Sequence, residues 1–204
     1  MNFGLYVIMT NPVLPYTKIA EICVKQKIRY LQLREKEFDD KNLLKIAREI
    51  KSITKGSETM FIVNDRVDIC MLSDADGIHL GQEDISFNDA RMILPKEKII
   101  GLSTHNIEQA QSALELDPNY IGFGPIYSTP TKKKPDPVVG CKMLSKIMAI
   151  SEIPVVAIGG IDESNLIDVL KTGAKNICMV RAFMNTMDLE NKLIKIKMIL
   201  GDIK

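Results

Sequence analysis

The sequence predicts the α/β class and, within it, a single (β/α)8 TIM barrel over residues 1–204. Three observations carry that expectation. Short β-rich apolar runs recur eight times along the chain. Segments of helical period separate most of them. No composition shift or linker divides the sequence, so one domain is expected. Alternating strand and helix imply right-handed βαβ units and a parallel sheet, and eight such units favour closure over an open sheet. At 204 residues the chain is short for this architecture, so its loops should be short too.

The first run, Leu5–Met9, has no basic segment before it and stops at Thr10-Asn11-Pro12, which reads as strand one and not as a signal peptide. Strand two is Tyr30–Leu33, and the helix after it carries the stripe Leu43, Ile46, Ala47, Ile50, the spacing of one buried helical face. Strands three to six follow at Phe61–Val63, Gly77–Leu80, Ile99–Leu102 and Tyr120–Phe123. The stretch from Ser128 to Pro137 is rich in Lys, Thr and Pro, so it reads as an exposed loop and as the natural candidate for a mobile active-site loop. Strand seven, Val155–Ile158, leads through Gly159-Gly160 to a helix opened by Asp162, with Leu166, Val169 and Leu170 facing inward. Strand eight is Ile177–Val180, and the final helix reads through Leu189, Leu193, Ile196 and Leu200.

The bulk charge narrows the function. Lys and Arg total 27 against 26 Asp and Glu, a formal charge of +1, so no field suggests nucleic acid or an anionic membrane. No apolar run approaches the ~18 residues a membrane span needs. A small-molecule partner is the default, and nothing in the pattern specifies an oligomeric state. The four cysteines, Cys23, Cys70, Cys141 and Cys178, lack any CxxC spacing, which suits buried thiols in a reducing, cytoplasmic compartment.

In this architecture chemistry collects where strands end at the carboxyl face of the barrel. After strand two come Gln32, Arg34 and Lys36, whose period-2 spacing sends all three to one side of an extended segment, as an anionic substrate requires. Strand three ends in Asn64-Asp65-Arg66 and strand four leads to Asp84. Two carboxylates on adjacent loops can share one Mg²⁺, which keeps several waters and takes one or two protein carboxylates. The competing structural reading pairs Asp65 with Arg66 and makes Asp84 a helix cap ahead of Ser86. Strand six runs into Ser128, Thr129, Thr131 and Lys132, hydroxyls and a cation suited to phosphate oxygens. The paired glycines after strand seven let backbone N–H groups approach an anion, and Val180-Arg181 stands at the matching place on strand eight. His79, inside strand four, is expected to be packed core, whereas His105 sits at a strand end and is a candidate for touching substrate. No Cys/His pair or Ser/His/Asp triad has credible placement, so covalent catalysis is not indicated.

Taken together, Gln32-x-Arg34-x-Lys36, Asn64-Asp65-Arg66-Val67-Asp68, His79-Leu80-Gly81-Gln82-Glu83-Asp84, Gly124-Pro125-Ile126-Tyr127-x-Thr129-x-Thr131-Lys132 and Ala157-Ile158-Gly159-Gly160-Ile161 resemble the thiamine-phosphate synthase (thiamine-phosphate pyrophosphorylase) family, in order and over essentially the whole chain. The resemblance implies a transferase that joins 4-amino-2-methyl-5-(diphosphomethyl)pyrimidine to a thiazole ethyl phosphate, releasing diphosphate. It implies that Arg34, Lys36, Asn64, Ser103 and Lys132 hold the pyrimidine diphosphate, with Gln32 beside them and Arg34, Lys36, Ser103 and Lys132 acting in catalysis. Asp65 and Asp84 would bind Mg²⁺. Thr129 and Thr131 would contact the thiazole, and Gly160, Val180 and Arg181 its phosphate through backbone N–H groups. The family is thought to ionise the C–O bond first, giving a cation that the thiazole nitrogen captures; neutralising the leaving charge then matters more than any nucleophile on the protein.

One departure is plain: where the family usually has Ser-Ala-Ile after strand eight, this chain has Arg181-Ala182-Phe183. Two alternatives remain. A thiazole tautomerase on the same barrel would use His105 as a proton carrier, yet has no need of Arg34, Lys36, Asp65, Asp84 and Lys132 together. A non-catalytic thiamine-precursor binding protein would keep the glycines and lose the carboxylates, whereas both Asp65 and Asp84 are retained.

Overall fold

A computed structural model describes residues 2–130 and 136–201 of the chain. Among those residues the strands are β1 (Tyr6–Met9), β2 (Tyr30–Leu33), β3 (Met60–Asn64), β4 (Gly77–Leu80), β5 (Ile99–Thr104), β6 (Tyr120–Phe123), β7 (Val155–Ile158) and β8 (Asn176–Cys178). The helices are α1 (Tyr16–Lys25), α2 (Asp40–Thr54), α3 (Val67–Leu72), α4 (Phe87–Ile93), α5 (Ile107–Glu115), α6 (Gly140–Ile150), α7 (Leu166–Leu170), α8 (Val180–Met184) and α9 (Leu189–Leu200). Every strand pairs in parallel with the next in sequence, β1 through β8. The ring comes together where Leu5 bridges Ile177, with Ile177 N donating to the Gly4 carbonyl at 2.9 Å and Phe3 N donating to Asn176 Oδ1 at 2.8 Å.

Strand alternation divides the core in two. Val7, Met9, Phe61 and Val63 turn outward and pack under the helices, while Tyr6, Ile8, Tyr30, Ile62 and Tyr120 fill the barrel interior. Both faces of each strand are thus buried, which is why the strands read as apolar runs and not as alternating ones. Interior space is rationed by glycine at one position: a Cβ on Gly101 would stand 2.1 Å from the Tyr120 ring, so only glycine leaves that aromatic room. Three helices start where short polar side chains take up first-turn amides: Asp39 for α2, Ser86 for α4 and Asn106 for α5. Along α2, Leu43, Ala47 and Ile50 are buried, the face the spacing predicts, and α9 buries Leu189, Leu193 and Ile196.

Besides shifts of one or two residues at the ends of β1, β3 and β5, two boundaries differ from the sequence reading. β8 ends at Cys178, and Val180 opens α8: Met179, at φ −120° and ψ 65°, turns the chain off the sheet and its carbonyl accepts from Phe183 N. The apolar run simply continues across that turn, so periodicity cannot see it. α7 starts at Leu166 and not at Asp162, because the Asp162 carboxylate accepts from both Ser164 N and Ser164 Oγ, a local turn that competes with helix.

Candidate active site

A cavity of about 450 Å³ opens at the carboxyl ends of the strands. Its walls come from the segments after β1, β2, β5, β6, β7 and β8. Of the residues singled out from the sequence, Arg34, Ser103, Thr129, Gly160, Val180 and Arg181 line it, and so does His105. Thr131 and Lys132 lie outside the described residues.

Arg34 is carried to the rim by one more ladder bond beyond β2, its N–H donating to the Met9 carbonyl at 2.9 Å. Glu35, next in line, is occupied elsewhere: it accepts from Tyr16 Oη at 2.6 Å and from Asn11 N, and so ties the loop after β1 and the start of α1 to the loop after β2. Gln32 does not reach the cavity. It is 1% exposed and its Nε2 donates to Tyr6 Oη at 2.7 Å, deep in the barrel.

Lys36, Asp65 and Asp84 form a cluster beside the cavity. Asp65 adopts a left-handed backbone (φ 61°), held by its N–H donating to the His79 carbonyl at 2.9 Å, and its Oδ2 lies 2.9 Å from Lys36 Nζ. Burial, and then the neighbouring Asp84 carboxyl, push the Asp65 pKa up against the opposing pull of Lys36. Asp84 Oδ2 accepts from Gly81 N at 2.6 Å. The competing reading of these acids does not hold: Arg66 pairs with Asp40 and Asp68, and the cap of α4 is Ser86. Asn64, at the end of β3, stands opposite His79 in the parallel register.

Ser103 is anchored from below. Its Oγ lies 2.8 Å from His79 Nε2, its carbonyl accepts from Gln82 Nε2 at 2.6 Å, and His79 is 9% exposed, a packed ring as expected. His105 Nδ1 is 2.7 Å from the Gly124 carbonyl. A carbonyl only accepts, so Nδ1 carries the proton, and Nε2 faces Asp136 Oδ2 at 3.6 Å.

On the far sector the backbone dominates. Gly159 and Gly160 hold φ of 96° and 66°, and a Cβ on Gly160 would meet the Tyr127 and Ser128 carbonyls at 2.6 Å. This turn is therefore open to glycine alone, and it brings the β7 turn against the loop after β6. α8 opens at the cavity wall with Val180, Arg181 and Ala182 and has no side-chain cap, and the first amides of a helix have no acceptor within it. Arg181 and Lys192 add positive charge on the same wall, faced by Asp162 and Glu163. Sequence reasoning missed Asp136, Lys192 and the tyrosines beneath Ser103. Polar character on an interior strand position is the one signal that marks the last of these.

A sequence model of the family described as thiamine monophosphate synthase matches residues 5–183. A thiamine-phosphate synthase from Persephonella marina is 42% identical over 205 residues, covering 98% of this chain and 97% of that one. Another from Clostridium botulinum (strain Loch Maree / Type A3) is 39% identical over 193 residues, 93% and 94% of the two chains. Among solved structures, a thiamine phosphate pyrophosphorylase from Pyrococcus furiosus superposes with a TM-score of 0.87 at 32% identity, over 98% of this chain and 96% of that one.

Proposed function

The chain belongs to the thiamine monophosphate synthase family, and from that premise we propose how its barrel rim carries out the reaction. The activity is that of a thiamine-phosphate synthase, a transferase. Its substrates are the pyrimidine diphosphate and the thiazole ethyl phosphate. One observation carries this reading: Arg34 and Ser103, from the segments of β2 and β5, and the Gly159-Gly160 turn with Val180 and Arg181, after β7 and β8, line one cavity, two groups of donors suited to two anions.

Arg34, Lys36 and Ser103 hold the diphosphate, with Asn64 beside them and Lys132 from the loop after β6. Thr129 and Thr131 meet the thiazole. Gly160, Val180 and Arg181 hold its phosphate. The C–O bond to the pyrimidine methylene breaks, diphosphate leaves with the electron pair, and the thiazole ring nitrogen donates its lone pair to form the new C–N bond. The cations and the Ser103 hydroxyl stabilise charge as it develops on the leaving oxygen.

Asp65 and Asp84 fit a magnesium ion by their chemistry: they are two hard oxygen ligands whose mutual repulsion and burial raise the Asp65 pKa, a cost that a cation would relieve. When bound, Mg²⁺ supplies further neutralisation of the leaving diphosphate. No helix among the described residues is long and apolar enough to cross a membrane. The free cysteines agree with a cytoplasmic place of work.

The test is direct. Purified protein with both substrates and Mg²⁺ should release diphosphate and thiamine phosphate in equal amounts. Isomerisation of the thiazole phosphate without diphosphate release would overturn the reading.

A further inference from the structure

Beneath Ser103 the barrel interior holds an unbroken hydrogen-bonded chain that the reaction as described does not use. Gln32 Nε2 lies 2.7 Å from Tyr6 Oη. Tyr6 Oη lies 2.7 Å from Tyr120 Oη, and Tyr120 Oη lies 3.0 Å from His79 Nδ1. The last link is His79 Nε2 to Ser103 Oγ at 2.8 Å. The five members come from five strands and the chain ends at the cavity wall.

Its direction follows from donor counts. An amide nitrogen only donates, so Gln32 fills an acceptor site on Tyr6 and leaves the Tyr6 proton for Tyr120. The Tyr120 proton then goes to His79 Nδ1, which must accept. A neutral imidazole whose Nδ1 accepts carries its proton on Nε2, and that N–H donates to Ser103 Oγ. The serine is left with its own O–H for the cavity. Burial pushes both phenols far above their ordinary pKa, so neither surrenders its proton. The imidazole cannot turn freely, since it stacks on Tyr120 with centroids 5.5 Å apart and planes inclined by 21°.

We propose that His79 is a positioning residue, set in its Nε2–H form by the chain from Gln32 through Tyr6 and Tyr120, and that it fixes Ser103 as a donor to the diphosphate of the pyrimidine substrate. This rests on the assignment of Ser103 to the diphosphate made above. Ser103 itself touches the substrate; the other four act through it. Leaving-group charge grows as the C–O bond opens, so a donor locked toward it stabilises the transition state more than the bound substrate.

Two measurements test this. The chain has two histidines, and ¹⁵N-histidine NMR of the whole protein should find opposite tautomers: Nε2–H at His79 and Nδ1–H at His105, which donates to the Gly124 carbonyl. An Nδ1–H ring at His79 would reverse the chain and overturn the proposal. Kinetically, Tyr120→Phe should lower kcat about tenfold, the worth of one hydrogen bond, with KM for the thiazole phosphate unchanged. His79→Gln, whose amide nitrogen reaches the Nε2 position, should keep most of kcat, whereas His79→Asn, which reaches only the Nδ1 position, should not. Equal losses in Gln and Asn variants that melt like wild type would reduce His79 to packing and sink the idea. Affinity for inorganic diphosphate supplies a readout without turnover: it should fall in Tyr120→Phe and hold in His79→Gln. If wild type made no thiamine phosphate, the functional reading would fail while the tautomer and diphosphate results still decided the chain.

Discussion

Asp65 shows at the scale of one residue what binding readiness costs the fold. Its pKa is raised in the folded protein by burial and by Asp84, so ionising it in place is harder than ionising it in the unfolded chain. The stabilising contribution is therefore present while the carboxyl is protonated, at acid pH, and is lost as the pH rises through the folded-state value. Asp65→Asn should accordingly raise Tm near neutral pH in the absence of divalent cations, with the advantage vanishing as the pH falls below the ordinary Asp value of ~3.9. The same change combined with Asp84→Asn should abolish Mg²⁺-dependent turnover. A lower Tm for Asp65→Asn at neutral pH would mean that the Lys36 ion pair outweighs the repulsion. Arg181 is the other residue whose role physics must decide, since it departs from the family's usual serine. It lines the cavity and its charge helps to lower the Asp162 pKa, though it ranks behind the hydrogen bonds from Ser164. If the guanidinium reaches the thiazole phosphate, Arg181→Ser should weaken that substrate by about 1.5–3 kcal/mol and leave pyrimidine diphosphate binding unchanged. Calorimetric titration at low salt checks it, and an affinity within about twofold of wild type, under ~0.5 kcal/mol, would assign Arg181 to the surface.

At the scale of elements, the β7 turn shows why two loops act as one. A Cβ at Gly160 would press on the carbonyls of Tyr127 and Ser128, and Asn165 Nδ2 donates to the Gly160 carbonyl at 2.9 Å. Gly160→Ala must adopt a left-handed backbone at a cost of about 1–2 kcal/mol and also push the loop after β6 outward. The expected result is a lower urea midpoint together with a raised KM for the thiazole phosphate. A lower midpoint with KM unchanged would separate this turn from the substrate. The elements themselves were largely legible, because buried parallel strands are short apolar runs and amphipathic helices repeat their stripe, as β6 and α2 do. What failed was local: Met179-Val180 is apolar on both sides of a strand-to-helix turn, and Asp162 looks like a helix start although Ser164 captures it. Depth along a strand was also illegible. Gln32 shares a face with Arg34, but two residues at ~3.3 Å each carry it some 6–7 Å deeper, from the rim into the barrel.

For the whole molecule, closure of the barrel is the property that the sequence pattern implied and contact geometry delivers. The same closure explains what remained hidden. Tyr6 and Tyr120 are separated by 114 positions in sequence, and nothing in either neighbourhood names the other; only eight strands wound into a ring bring their hydroxyls together beneath Ser103. The ring's weakest line is the seam between β8 and β1, which has a single bridge, Leu5 to Ile177, where the other neighbours have at least three paired positions. Asn176 reinforces that seam, since its Oδ1 accepts from Phe3 N at 2.8 Å, while its Nδ2 donates to the Val155 carbonyl of β7 at 3.3 Å and so ties the seam to the neighbouring strand. It is one of the buried polar side chains of the core, so removing its amide takes the acceptor from Phe3 N. Asn176→Ala should therefore cost about 2 kcal/mol, roughly 4–8 °C in Tm for a chain of this size. Hydrogen exchange should quicken first at Ile177 and in β1, ahead of β3 and β4, because opening begins at the seam. Uniform loss of protection across all strands would instead mean that the barrel opens only as a whole, and that the single bridge is not where it comes apart.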